Sequence, residues 1–162
     1  MPPGAVSVGG AGYVLQRRRG ALLIQGAGEI LVTPPDASGA AGGVLGDLYV
    51  EIGGIGRIIH GLSAKRVIIT GSLGDDIIRL DGHRPGPGGA PGEPVGSGLP
   101  LPIPATVRGT RGDDTIVGGA ANDRLFGGPG NDHLDGAGGR NRLRDRRVRH
   151  RMAPITVDPA AS

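Results

Sequence analysis

Four stretches of nine residues follow one another from Gly109 without an insertion: GTRGDDTIV (109–117), GGAANDRLF (118–126), GGPGNDHLD (127–135) and GAGGRNRLR (136–144). The first position is always glycine, the sixth reads Asp114, Asp123, Asp132, Asn141, and the eighth reads Ile116, Leu125, Leu134, Leu143. A unit this short encloses no core of its own, so neighbouring units must stack. Its first six residues turn the chain and its last three form a very short strand.

A fifth copy, GSLGDDIIR, stands upstream at 71–79, with Asp76 and Ile78 at the corresponding places. Strand-like text precedes both arrays, RVIIT at 66–70 and PATVR at 104–108, and a stretch with seven prolines separates them at about 83–105. Further upstream, YVLQ (13–16), ALLIQ (21–25), EILVT (29–33), DLYVEI (47–52) and RIIH (57–60) read as strands punctuated by glycine. Leu48, Val50 and Ile52 alternate with Tyr49 and Glu51, the period of a strand with one buried face. The organisation predicted is a β-strand-rich base at 1–66, a first repeat-like coil at 67–82, a Pro/Gly-rich loop at 83–106, the nonapeptide array at 107–144 and a basic, disordered tail at 145–162. The fold class is all-β.

The residue types in the turns point to a hard cation. Glycine supplies dihedrals forbidden to other residues and lets backbones approach closely. Position five carries Asp113, Asn122 and Asn131, the types that best tolerate a left-handed conformation. Turn carbonyls together with the position-six carboxylate make an all-oxygen donor set, which suits Ca2+.

The pattern G-G-x-G-x-D-x-U-x, met by GGPGNDHLD at every defined position, resembles the glycine-rich repeats of RTX (repeats-in-toxin), or haemolysin-type, calcium-binding proteins. The resemblance covers 109–144, with 71–79 as an outlier. It implies a short right-handed parallel β-roll, stacked on the β-layered N-terminal region, with two nonapeptides per coil and calcium between repeat n and repeat n+2. Asp114 then faces Asp132, with Gly112, Gly128, Gly130 and Asn131 in the surrounding turns, as the best site. Asp123 meets Asn141 in a weaker one, where Ala121, Ala137 and Arg140 depart from the pattern, and Asp76 stacks over Asp114 if the proline-rich insertion loops out in place of one half-coil. The resemblance also implies a bacterial protein that is exported and extracellular. Each unit buries one sizeable side chain, too little to offset the entropy of ordering so many glycines. Calcium binding is therefore expected to couple to folding, at roughly 0.1–1 mM.

Composition narrows the alternatives. The chain of 162 residues holds 34 glycines, 14 prolines, one Phe, two Tyr and no Trp or Cys, so thiolate metal sites and disulfides are excluded. The opening MPPGAVSVGG has neither the basic nor the apolar region of a Sec-type signal, and no apolar run approaches the length of a membrane span. The net charge of +3 sums a slightly acidic body and a basic end containing Arg140, Arg142, Arg144, Arg146, Arg147, Arg149 and Arg151. Those arginines are candidates for weak contact with polyanions, but no aromatic residues interleave with them, so specific nucleic-acid binding is not expected. GLSAK (61–65) lacks the closing glycine of a nucleophile elbow, and GGIGRII lacks the third glycine of a dinucleotide fingerprint. No catalytic function is expected. The alternative to calcium binding is a metal-independent structural or adhesive solenoid with a polyanion-binding tail.

Overall fold

A computed structural model describes residues 14–18, 20–34, 47–60, 64–87, 91–94 and 98–146; the N-terminal 1–13, the segment 35–46 and the tail from 147, with Arg147, Arg149 and Arg151, lie outside the described residues. Among the described residues fourteen strands and no α-helix are formed. In chain order they are β1 (Val14–Arg18), β2 (Ala21–Gln25), β3 (Glu29–Thr33), β4 (Leu48–Ile52), β5 (Ile55–Ile59), β6 (Arg66–Thr70) and β7 (Ile77–Arg79). There follow β8 (His83–Pro85), β9 (Pro91–Pro94), β10 (Ala105–Arg108), β11 (Thr115–Val117), β12 (Arg124–Pro129), β13 (His133–Asp135) and β14 (Arg142–Arg146).

They build two six-stranded sheets and one small hairpin. Sheet I has the order β1-β2-β6-β10-β12-β14, sheet II the order β13-β11-β7-β3-β4-β5, and β8 pairs with β9. From β2 to β14 the strands of sheet I are mutually parallel, as are β3, β7, β11 and β13 in sheet II. The chain reaches this arrangement by crossing between the sheets at each glycine-rich turn. A strand of three residues cannot pair with its immediate successor through so tight a turn, and it finds its parallel partner one unit further on. Accordingly Asp114 sits beside Asp132 at a separation of 18 residues, two nonapeptides.

Alternation turns one apolar row of each sheet inward. Leu22, Ile24, Val67, Ile69, Val107 and Leu125 from sheet I meet Ile30, Val32, Ile78 and Ile116 from sheet II in one buried cluster. The cluster thins along the stack: Leu134 is only partly buried and Leu143 is 42% exposed. The last coil therefore rests on turn chemistry more than on apolar burial.

The proline-rich excursion lengthens the one connection, from β7 to β10, that stands where a nine-residue half-coil would return the chain to sheet I; β10 pairs with β6 and β11 with β7, so Asp76 stacks on Asp114. Its end rejoins the stack through Leu101, whose amide donates to the Leu80 carbonyl (2.7 Å) and whose carbonyl accepts from Ala120 (2.9 Å). Leu101 and Ile103 are buried there. At the other end of the molecule, β4 and β5 join through Gly53 and Gly54 at φ of +57° and +80°, the two-residue turn whose twist suits a hairpin. Buried Glu51 on β4 ties the excursion down, accepting from both terminal nitrogens of Arg84 (Nη2 at 3.0 Å) and from Tyr49 Oη at 2.6 Å. Burial alone would raise the Glu51 pKa; its bonds to Arg84 and Tyr49 outweigh that and hold it below the ordinary value.

Candidate metal centre

The turns collect on two flanks. Residues 71–76, 109–114 and 127–132 lead from sheet I to sheet II on the first flank; 118–123 and 136–141 lead back on the second. On both, the aspartates and asparagines extend the backbone ladder through the turns. At position six, the Asp76 amide donates to Asp114 Oδ1 (2.9 Å) and the Asp114 amide to Asp132 Oδ1 (3.0 Å). The second flank repeats this with Ala105 to Asp123 and Asp123 to Asn141, each at 2.8 Å. Position five bonds in the opposite sense: Asp113 donates to Asp75 Oδ1 (2.7 Å), Asn131 to Asp113 Oδ1 (2.8 Å) and Arg140 to Asn122 Oδ1 (2.7 Å).

The other side-chain atom of position six separates the sites. Asp76 Oδ2 accepts from the Ser72 amide at 2.5 Å, while its Oδ1 accepts from Gly28 N (2.6 Å) and Ser72 Oγ (3.1 Å). Asp123 Oδ2 accepts from the Gly119 amide at 2.8 Å. Asn141 Nδ2 donates to the carbonyls of Gly136 (2.6 Å) and Gly138 (2.8 Å), positions one and three of its own unit. Asp114 Oδ2 and Asp132 Oδ2 are buried and have no hydrogen-bond partner.

These two oxygens occupy the place that Asn141 Nδ2 takes in the fourth unit. Each presses on its own first-position glycine: a Cβ at Gly109 would collide with Asp114 Oδ2 and one at Gly127 with Asp132 Oδ2, as one at Gly136 would with Asn141 Nδ2. Where the asparagine presents a donor to two turn carbonyls, the aspartates present a further acceptor. Burial first, and then the charges of Asp132, Asp76 and Asp75, push the Asp114 pKa up to about 6 against the lowering effect of the Asp76 amide. Asp132 is raised by burial against the lowering effect of the Asp114 amide, and then by the Asp145 carboxylate, which stands within hydrogen-bonding range but offers no donor while both groups are ionised; Asp113 adds to the rise. Asp123 is raised by burial while the amides of Ala105 and Gly119 pull it down.

A buried acceptor without a donor costs about 1–3 kcal/mol, and more when it is charged. A bound hard cation removes that cost, so the donor set of the first flank fits calcium. Residues 108–143 match the family model of the RTX calcium-binding nonapeptide repeat, in four copies. No curated protein and no solved structure matches the chain. RTX repeats are calcium-binding, and the orphaned oxygens fall in the first and third of these units. Among the described residues no group of three or more His, Cys, Asp or Glu side chains converges as metal ligands. A cation in this array must therefore draw on backbone carbonyls as well.

Of the residues expected at the site, Asp114 and Asp132 come together on the first flank. Asp76 stands in the same column with both oxygens engaged, and Asp123 lies on the other flank with both oxygens engaged. The Gly112 carbonyl lies against Gly130 and the Thr110 carbonyl against Gly128, so a side chain at either glycine would strike backbone. Asn131 points its amide at Asp113. Sequence reasoning missed the position-five ladder, the placement of Asp145 beside Asp132, and the carbonyls at positions one and three. Asn141 standing for aspartate at position six was the signal for the last of these, since an amide there needs acceptors.

Proposed function

We propose that the chain binds calcium on the first flank, between Asp114 and Asp132, and that binding completes a parallel β-roll in an exported, non-catalytic protein. The observation that carries this reading is the pair of buried, partnerless Oδ2 atoms. Asp114 and Asp132 would hold the ion together with turn carbonyls, of which those of Gly109, Arg111, Gly127 and Pro129 correspond by position to the two that accept from Asn141. Calcium supplies the positive charge that buried carboxylates and carbonyls lack. Asp76 and Asp123 serve as structural caps, because backbone amides already use their oxygens. The occurrence of RTX repeats in exported proteins supports an extracellular location, where calcium at roughly 0.1–1 mM suffices for modules of this class.

Titrating calcium into metal-free protein while following far-UV circular dichroism tests the coupling. A gain of β signal that saturates near millimolar calcium, and that Asp132→Asn removes from the titration, supports it. A spectrum indifferent to calcium sinks it.

A second reading, a solenoid that needs no metal, is favoured by the satisfied caps at Asp76, Asp123 and Asn141 and by the apolar core under β2, β3, β6 and β7. In that reading the arginines from Arg140 onward contact polyanions. Full β signal in calcium-free buffer at neutral pH would choose it over calcium-coupled folding. Among the described residues no helix is long and apolar enough to cross a membrane.

A further inference from the structure

The outer face of sheet I carries a charge pattern that the calcium flank does not use. Register aligns Thr106, Arg124 and Arg142 on one row across β10, β12 and β14, and Arg108, Phe126 and Arg144 on the next. The residues between these rows, Val107 and Leu125, belong to the buried core, so both rows face outward. All four arginines are exposed. Arg108 lies over the Phe126 ring at 5.6 Å from its centroid. The salt bridges among the described residues involve none of these four arginines, and neither row contains an Asp or Glu. On sheet II the arginine is paired, Arg79 of β7 with Asp81, and Glu51 of β4 takes Arg84 from the β8-β9 hairpin.

Parallel strands lie about 4.8 Å apart, and alternate residues of one strand about 7 Å apart. The four guanidinium groups thus form a narrow track running across the strands. Toward β1 the same face continues into a shallow depression where Gln16, Gln25 and Thr70 stand among Val14, Leu23 and Ile68, so hydroxyl and amide groups interleaved with aliphatic ones succeed the charges. Like charges this close repel, and a bound chain of anions relieves that repulsion. Guanidinium forks match carboxylate and sulfate oxygens two at a time.

We infer that this face binds a polysaccharide bearing carboxylate or sulfate groups, its anions on Arg108, Arg124, Arg142 and Arg144 and its hydroxyls on the Thr and Gln residues beyond. Single-stranded nucleic acid fits less well, because it needs open aromatic faces for stacking and Arg108 covers Phe126. An anionic bilayer fits less well too, because the exposed aliphatic side chains do not stand among the arginines: Leu143 pairs with inward-facing Leu125 on the other face of β14, and Val14 is at the far edge of the sheet on β1.

The test uses the full chain in saturating calcium and about 100 mM salt, the range in which screening leaves short-range contacts intact. Immobilised dextran sulfate, uncharged dextran and poly(dT) are the probes. The triple variant Arg108→Gln, Arg124→Gln, Arg142→Gln should lose at least tenfold in affinity for dextran sulfate, and the charge-matched Arg147→Gln, Arg149→Gln, Arg151→Gln less than threefold, with no binding to uncharged dextran. Equal losses in the two variants, or a larger loss in the second, would overturn the assignment to the sheet face. Binding of poly(dT) as tight as that of dextran sulfate would overturn the polysaccharide. Protection by dextran sulfate from phenylglyoxal, mapped on the unaltered protein by mass spectrometry, gives the same answer without a folding requirement: protection at Arg108, Arg124 and Arg142 supports the face, and its absence there refutes it.

Discussion

Replacing Asp114 by asparagine should make the repeats fold better without calcium, although it removes a metal ligand. Asp114 is 1% exposed, and its pKa lies at about 6 against an ordinary value of 3.8. One pH unit corresponds to about 1.4 kcal/mol, so the metal-free fold at neutral pH loses up to about 3 kcal/mol by keeping this group ionised. Asparagine removes that charge and still offers Oδ1 to the Asp76 amide. Its Nδ2 meets the kind of carbonyl pair that Asn141 already uses, worth about 1 kcal/mol per hydrogen bond. The sign follows from proton counts. Between pH 3.8 and about 6 the folded state holds the Asp114 proton more tightly than the unfolded state, so this group makes metal-free stability fall as pH rises through that window. Urea unfolding in calcium-free buffer should show Asp114→Asn more stable by about 2–4 kcal/mol at pH 7.5 and by about 1 kcal/mol or less at pH 4.5, where Asp114 is protonated. A variant no more stable than the parent at pH 7.5, or a gain undiminished at pH 4.5, refutes the reasoning.

Other consequences are checked separately. Calcium affinity should weaken as pH falls through about 6, because the ion competes with the Asp114 proton; titration calorimetry at pH 5 and pH 7.5 measures it, and proton release on binding should accompany it near pH 6. Gly127→Ala drives a Cβ into the Asp132 carboxylate and should abolish the calcium-induced β signal in circular dichroism. Ala137 sits at φ of +52°, so Ala137→Gly should stabilise the last coil by about 0.5–1 kcal/mol once the entropy of glycine is subtracted, read as a rise in thermal midpoint. Glu51→Ala strands Arg84 and Tyr49; with the Arg84 side chain 44% exposed, the loss should be about 1–3 kcal/mol, seen as a lower urea midpoint that calcium does not restore.

Most of the strand text was legible in the sequence, because aliphatic runs bounded by glycine admit few other conformations. The nine-residue period marked out the turns, and the resemblance to RTX repeats implied that alternate ones stack, which set Asp114 beside Asp132. What the sequence hid is why identical aspartates differ. Asp114 and Asp123 occupy the same position of successive units, yet the Gly119 amide turns back to Asp123 while the equivalent Thr110 amide donates across the stack to Gly127 O at 2.9 Å. That choice depends on backbone dihedrals, with Thr110 at φ of +102°, and a residue pattern does not encode it. Ser72 gives Asp76 its partners in the same way. The return of the excursion into the stack at Leu101 and the buried Glu51 bridge are long-range contacts with no periodic signature. The arginine track emerged only once register placed residues from β10, β12 and β14 side by side.

Calcium stoichiometry by titration calorimetry at pH 7.5 tests the central claim most directly, comparing the parent chain with Asp114→Asn plus Asp132→Asn and with Asp76→Asn plus Asp123→Asn. The orphaned oxygens predict that the first pair eliminates the tightest calcium bound and that the second pair leaves it in place. Retention of that calcium by the first pair, or its loss only from the second, would contradict the assignment of the site.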